Sequence, residues 1–209
     1  TWVPFNESWG VWHQASRPGQ RAFVQAVAGL TRALDSPRPI VGNDGWEPAT
    51  GDLWTLHLYA GEEQGVSDAG NDGENQSERN NLTDRLARLI ADPNSPIAGQ
   101  SGEKGVRVGA LPGANVEGLP IPLTECGGIG FTAGVAVADA FSYGKQPQNA
   151  ASLEQEIRNC MIRIRQSEKL SGFVWTQLTD VQQEINGLLY SDRTPKLPLA
   201  TFRAIFSPP

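Results

Sequence analysis

Apolar positions along this chain fall into two alternating rhythms. Short runs of apolar residues alternate with stretches in which they recur every three or four positions. Thr1 to Glu7 reads as a strand interrupted by Pro4, which suits a strand that is not laddered along its whole length. Arg21 to Asp35 reads as a helix, with Phe23, Val27, Leu30 and Leu34 on one face and Ser36-Pro37 as its stop. The run from Pro39 closes in the polar pair Asn43-Asp44, and Leu53 to Tyr59 is a further strand. Leu82, Leu86, Leu89 and Ile90 predict a helix after Asn81, a residue suited to capping it. Pro120 to Glu125 is a strand. Ser152-Leu153-Glu154-Gln155 has the form of a capping box, and Leu153, Ile157, Cys160 and Ile164 continue as a buried helical stripe. Gly172 to Gln177 is the last apolar strand. Gly61 to Glu78 reads as a polar surface loop and Ala98 to Gly118 as a Gly-rich loop. There is no internal repeat.

Strands alternating with helices predict an α/β fold, a parallel sheet with helices packed outside it. Several of the predicted strands end in polar residues: Asn6-Glu7, Asn43-Asp44, His57 with Tyr59, Glu125, and Trp175 with Gln177. In α/β barrels chemistry gathers at the C-terminal ends of the strands. Five such ends make a constellation where one would be noise.

Composition narrows the function classes. The chain has 209 residues, 39% hydrophobic and 19% charged, enough to bury one sizeable core and too apolar for a disordered polyampholyte. Lys and Arg number 17 against 23 Asp and Glu, a net charge of −6 that argues against a nucleic-acid partner. No apolar run reaches the length a bilayer needs, so a membrane partner is not expected. Cys126 and Cys160 are too few for a disulfide framework and read as reduced core residues. His13 and His57 lie in no tight Cys/His cluster, so no metal site is expected. The chain opens directly in a strand without an initiator Met, which reads as a processed, split or truncated product.

Glu7 and Glu125 are the sharpest chemical candidates. Each ends an apolar strand, where a carboxylate is costly unless it is used or paired. Glycoside hydrolysis needs two carboxyl groups across the scissile bond. A solvated strand end, or pairing with an Arg, explains either residue alone equally well.

The motifs carry a resemblance. Trp2-Val3-Pro4-Phe5-Asn6-Glu7-Ser8-Trp9-Gly10 resembles the fourth-strand motif of glycoside hydrolase family 2, the family of β-galactosidases, β-glucuronidases and β-mannosidases. Pro122-Leu123-Thr124-Glu125-Cys126-Gly127-Gly128 resembles its seventh-strand motif, with Cys126 where an aromatic residue is usual. Asn43-Asp44-Gly45-Trp46-Glu47 and Leu56-His57-Leu58-Tyr59 resemble strands five and six. Gly172 to Asp180, with Glu184, Asn186-Gly187-Leu188 and Asp192-Arg193, resembles strand eight and the segment after it. The matches run in order along nearly the whole chain.

The resemblance implies strands four to eight of a (β/α)₈ TIM-type barrel, with residues 1–209 as one partial catalytic domain. It implies a retaining exo-β-glycosidase, β-galactosidase-like, that uses no cofactor. In that scheme Glu7 is the acid/base and Glu125 the nucleophile. Asn6 bonds the sugar hydroxyl next to the anomeric carbon, Tyr59 holds the nucleophile, and Trp175 offers a platform to a sugar face. Asp44, Trp46 and His57 are subsite residues. The partner is a carbohydrate. Because strands one to three have no match, association into an oligomer or with a missing N-terminal half-barrel is also expected. The alternative is a non-catalytic half-barrel that binds sugar or serves assembly.

Two weaker signals are set aside. Gly128-Ile129-Gly130-Phe131-Thr132-Ala133 matches a dinucleotide fingerprint, but Glu125 before it would meet a pyrophosphate with like charge. The sequons at Asn6, Asn75 and Asn81 carry little weight.

Overall fold

A computed structural model of the chain describes residues 1–59, 82–99, 106–134, 137–143 and 146–207. The predicted surface loop Gly61 to Glu78 and the proposed cap Asn81 lie outside them. The described residues form seven strands and four helices: β1 (Phe5–Asn6), α1 (Pro18–Leu34), β2 (Asn43–Asp44), β3 (Leu56–Tyr59), α2 (Leu82–Ala91), β4 (Pro96–Gly99), β5 (Val106–Val108), β6 (Ile121–Gly127), α3 (Ala150–Gln166), β7 (Leu170–Thr176) and α4 (Leu199–Phe206). β1 pairs with β2 in parallel, β3, β6 and β7 form a second sheet in that order, and β4 pairs antiparallel with β5. The α/β class is as the patterning predicts. The described strands form no closed barrel.

Two compact units divide the chain. The first comprises Thr1–His57, Gly65–Thr124 and Lys169–Phe173, the second Leu58–Gln64, Glu125–Glu168 and Val174–Pro209.

In the first unit the opening strand is laddered only in part. Trp2 bridges Ile40 and Phe5 pairs with Asn43, while Pro4 between them has no N–H to give. α1 starts three residues earlier than the apolar period indicates, because Pro18 supplies a preset φ at the first helical position. Its apolar stripe is also placed differently. Val24 and Ala28 are buried, whereas Phe23, Leu30 and Leu34 are exposed, Leu34 at 80%. The 3.6-residue period identifies the stripe correctly but not which side of it meets the core. The Gly-rich stretch from Ala98 is not merely a loop, since β4 and β5 pair across it with a register shift at Pro96/Ala98. Ile40, Leu56, Leu89, Leu111 and Leu123 are fully buried and anchor this unit.

In the second unit α3 carries the expected stripe, with Leu153, Ile157, Cys160, Met161 and Ile164 buried. Truncating one such Leu or Ile to Ala removes about 2–5 kcal/mol. The capping box is shifted by three residues from Ser152/Gln155. Asn149 is the N-cap: its Oδ1 accepts the Ser152 N–H at 2.9 Å, and Ser152 Oγ accepts the Asn149 N–H at 3.1 Å. Asn149 fits the cap as well as Ser does, and the helix gains a further turn by starting there. Both cysteines are free and buried, as expected.

Candidate functional site

The first unit builds a site around the end of β1. The chain leaves Asn6 through two residues in the left-handed region, Glu7 at φ 53° and Ser8 at φ 60°. For non-glycine residues this costs about 1–2 kcal/mol each and persists only when the surroundings impose it. The Glu7 N–H donates to the Asp44 carbonyl at 3.0 Å and the Ser8 N–H to Asn43 Oδ1 at 2.8 Å. β2 thus supplies both the ladder and the clasp of the turn.

The turn leaves the Glu7 side chain 22% exposed, with Oε1 2.8 Å from His57 Nδ1. His57 is buried on β3, and its Nε2 lies 3.5 Å from Asp44 Oδ2. The imidazole therefore spans two carboxylates. It packs directly on the backbone at Gly45, where a Cβ would come within 2.5 Å of the ring, so only glycine fits. Trp46 meets the same ring edge-to-face at 5.8 Å. Thr124 Oγ1 donates to Asp44 Oδ1 at 2.6 Å. Burial pushes the Asp44 carboxyl upward, but His57 together with the hydroxyls of Thr124 and Thr55 outweighs it and holds its pKa below the ordinary value.

The second unit places Glu125 in β6, where its Oε2 accepts a hydrogen bond from the Tyr59 hydroxyl. Burial first, then the charge of Glu125 and this bond, pushes the Tyr59 phenol far upward, so it remains a donor. Tyr143 stacks on Tyr59 with centroids 3.5 Å apart and planes within 2°. Gly128 makes the stack possible. Its φ is +66°, and a Cβ there would lie 2.4 Å from Tyr143 and 2.5 Å from Tyr59. Trp175, near the end of β7, meets Phe206 edge-to-face at 5.3 Å. Cys126 is buried and donates its thiol to the Val174 carbonyl at 3.4 Å, while burial pushes its pKa up. Alternation along the strand turns Cys126 to the face opposite Glu125.

Among the sequence-predicted site residues, Asn6, Glu7, Asp44, Trp46 and His57 thus gather in the first unit. Tyr59 and Glu125 meet in the second, with Trp175 on its own strand. Asn43, named with Asp44 as a polar strand end but given no role, clasps the turn, and Thr124 and Tyr143 are additional groups that the pattern did not single out. Thr124 adjoins Glu125, which is the signal that was available. The dinucleotide reading finds no support: a helix should open in the glycine segment, but Gly128 to Gly134 is not helical and α3 begins only at Ala150.

No protein-family model and no curated protein matches the chain. Solved structures do. A GH2 β-galacturonidase from Eisenbergiella tayi bound to glycerol matches with TM-score 0.58 and 15% identity, over 91% of this chain and 30% of that one. A β-glucuronidase from Ruminococcus gnavus in complex with an N1-substituted uronic isofagomine matches with TM-score 0.56 and 16% identity, over 97% and 31%. The β-glucuronidase of Faecalibacterium prausnitzii matches with TM-score 0.53 and 15% identity, over 90% and 28%. The chain has a GH2-like fold and spans less than a third of the length of these structures.

Proposed function

We propose that the chain carries both catalytic carboxyl groups of a retaining β-glycosidase, strands four to eight of whose barrel it supplies. What supports this reading is the contrast between the two carboxylates. Glu125 accepts a hydrogen bond from a phenol that stays protonated, an arrangement that favours an ionised nucleophile. Glu7 faces an imidazole across 2.8 Å, a partner suited to a group that gives and takes a proton.

The reaction runs in two displacements. A Glu125 oxygen attacks the anomeric carbon while Glu7 gives its proton to the departing glycosidic oxygen. The sugar is then held as an ester on Glu125. Glu7, now a carboxylate, takes a proton from water as that water attacks the same carbon and frees Glu125. Two inversions give net retention, and the scheme requires carboxyl groups about 5–5.5 Å apart. Asn6 bonds the hydroxyl beside the anomeric carbon, Trp175 backs a sugar face, and Asp44, Trp46 and His57 line the subsite. The chemistry draws on no cofactor.

Proton NMR of the first-formed product from nitrophenyl β-galactoside, β-glucuronide and β-galacturonide tests the proposal. The β-anomer is expected from whichever substrate is cleaved. The α-anomer would refute the assignment.

A second reading, that the chain works by association, has its own observation. In the first unit Trp2, Val3, Phe23, Leu30 and Leu34 are exposed, and in the second Val174, Leu178 and Leu199 are. Phe173 of β7 is exposed too, whereas Phe5 of β1 meets Phe23 and Trp175 of β7 meets Phe206. Exposed apolar side chains of this size support an interface reading. We propose that the partner brings apolar strands and helices that complete a barrel. Sedimentation as a monomer without dye binding would exclude it.

A further inference from the structure

Behind the Glu7 turn, the first unit holds a buried polar cluster that the mechanism above leaves unused. Ser8, Gln14, Asn43, Glu47 and Arg107 are each no more than 6% exposed. The Ser8 hydroxyl is the hub. It donates to Glu47 Oε2 at 3.0 Å and accepts from Gln14 Nε2 at 3.1 Å and Asn43 Nδ2 at 3.2 Å. Arg107 Nη1 reaches the same Glu47 oxygen at 3.1 Å and the Trp12 carbonyl at 3.0 Å. Glu47 is fixed from its own backbone as well, its N–H donating to the Val108 carbonyl at 3.0 Å.

A buried ion pair is a weak device for stability, since desolvation offsets most of its attraction. Its location suggests another use. Glu7 and Ser8 are consecutive non-glycine residues in left-handed conformation, a state that needs over-determination by its surroundings. Ser8 has two hydrogen-bond donors on its own hydroxyl from Gln14 and Asn43, so its single proton must find an acceptor elsewhere, and Glu47 is that acceptor. Arg107 holds Glu47 in place and balances its charge. With the hydroxyl so fixed and the Ser8 N–H clasped by Asn43, the turn has one orientation.

We propose that Glu47 and Arg107, acting through Ser8, are positioning residues that hold the left-handed turn and so aim the Glu7 carboxyl. The inference rests on the reading of Glu7 as acid/base. Neither Glu47 nor Arg107 touches the reacting atoms in this scheme.

Two double variants of the intact protein test it. Glu47→Leu with Arg107→Met removes both charges at similar volume, leaving no uncompensated charge but depriving Ser8 of its acceptor. Glu47→Gln with Arg107→Met also removes both charges but keeps an acceptor carbonyl for Ser8. Amide hydrogen exchange at Glu7 and Ser8 is the first readout, with α1 amides as the internal reference. The Leu/Met variant is expected to lose protection at Glu7 and Ser8 while α1 keeps its own, and the Gln/Met variant to regain it. The second readout is the hydrolysis of aryl glycosides of graded leaving-group ability. A misaimed acid costs roughly 10²-fold on poor leaving groups and little on dinitrophenyl glycosides. Unchanged exchange at Glu7 and Ser8 in the Leu/Met variant would overturn the proposal, as would an equal loss on all leaving groups. If Glu7→Ala itself shows no leaving-group dependence, the acid/base reading fails, and the exchange data still decide whether the pair holds the turn.

Discussion

The surroundings of Glu7 and of Glu125 differ in almost every physical respect. Glu7 stands on a turn in the left-handed region, among groups that ionise: His57, Asp44 and, behind it, Glu47 with Arg107. Glu125 stands within a seven-residue strand, held by the Tyr59 phenol that stacks on a second phenol. One neighbourhood sets an imidazole between two carboxylates; the other is built from Tyr59 and Cys126, whose pKa values burial drives upward. Under a double-displacement mechanism this is the division of labour required. The group that donates a proton in one step and accepts it in the next needs a titratable partner, and the group that must attack as an anion needs a fixed donor.

The sharpest way to break the comparison is to remove each carboxylate in turn. Glu125→Ala should lower turnover by about 10⁴-fold or more, the scale of losing a nucleophile. Azide should restore it with an inverted product. Glu7→Ala should cost roughly 10²–10⁴-fold on substrates with poor leaving groups, the usual range for a general acid, and much less on activated ones. Azide should then give a product of retained configuration. Steady-state rates and product NMR separate the two patterns. Identical behaviour of the two variants would erase the distinction between the sites.

The Glu125 side of the comparison can also be broken through its scaffold. Gly128→Ala combines a positive φ with a Cβ driven into Tyr143 and Tyr59. Strain and overpacking together should remove roughly 2–4 kcal/mol, readable by denaturant unfolding. Tyr59→Phe is milder. It keeps the stacked ring and removes only the donor to Glu125, so stability should hold while the rate falls about 10²-fold, the cost of one preorganised donor to a charged group. A Tyr59→Phe variant that loses stability rather than rate would make the phenol a core residue and nothing more.

The two neighbourhoods were not equally legible in the sequence. Glu125 and Tyr59 lie on strands whose apolar runs are local, and the pattern located both. The buried stripe of α3 was equally plain, because its period is carried by consecutive turns of one helix. The clasp on the Glu7 turn was not legible, since Ser8 meets Asn43 across 35 residues and Glu47 meets Arg107 across 60. Local periodicity carries no information about such pairs. A weaker signal did exist for Arg107: it stands between Val106 and Val108, an alternation that marks β5 within a stretch whose glycines otherwise read as a loop. Which part of the α1 stripe is covered was not legible either, for a related reason. An apolar stripe shows that a helix has a face to cover, and only tertiary contact shows which part of it is covered.

The smallest effect sharpens the comparison through acid sensitivity. Asp44 has its pKa lowered from 3.8 in the folded chain, so it contributes stability that is present above 3.8 and lost as pH falls through its folded value. Glu47 has its pKa raised from 4.5, because burial outweighs Arg107 and the hydroxyl and amide donors around it. Its contribution has the opposite sign: it is fully present below 4.5 and lost as pH rises through the folded value. Both groups belong to the Glu7 neighbourhood, whereas Tyr59 and Cys126 near Glu125 are shifted upward and away from this window. Melting temperatures between about pH 3 and pH 6 should therefore respond to Asp44 and Glu47 and not to the Cys126 thiol. Asp44→Asn should flatten the decline on the acid side of 3.8, and Glu47→Gln should remove the decline above 4.5, while Cys126→Ala leaves the profile's shape unchanged. A Cys126→Ala profile that changes shape as much as the Asp44→Asn profile would show that the Glu125 surroundings titrate in the same window and that the contrast between the two neighbourhoods fails.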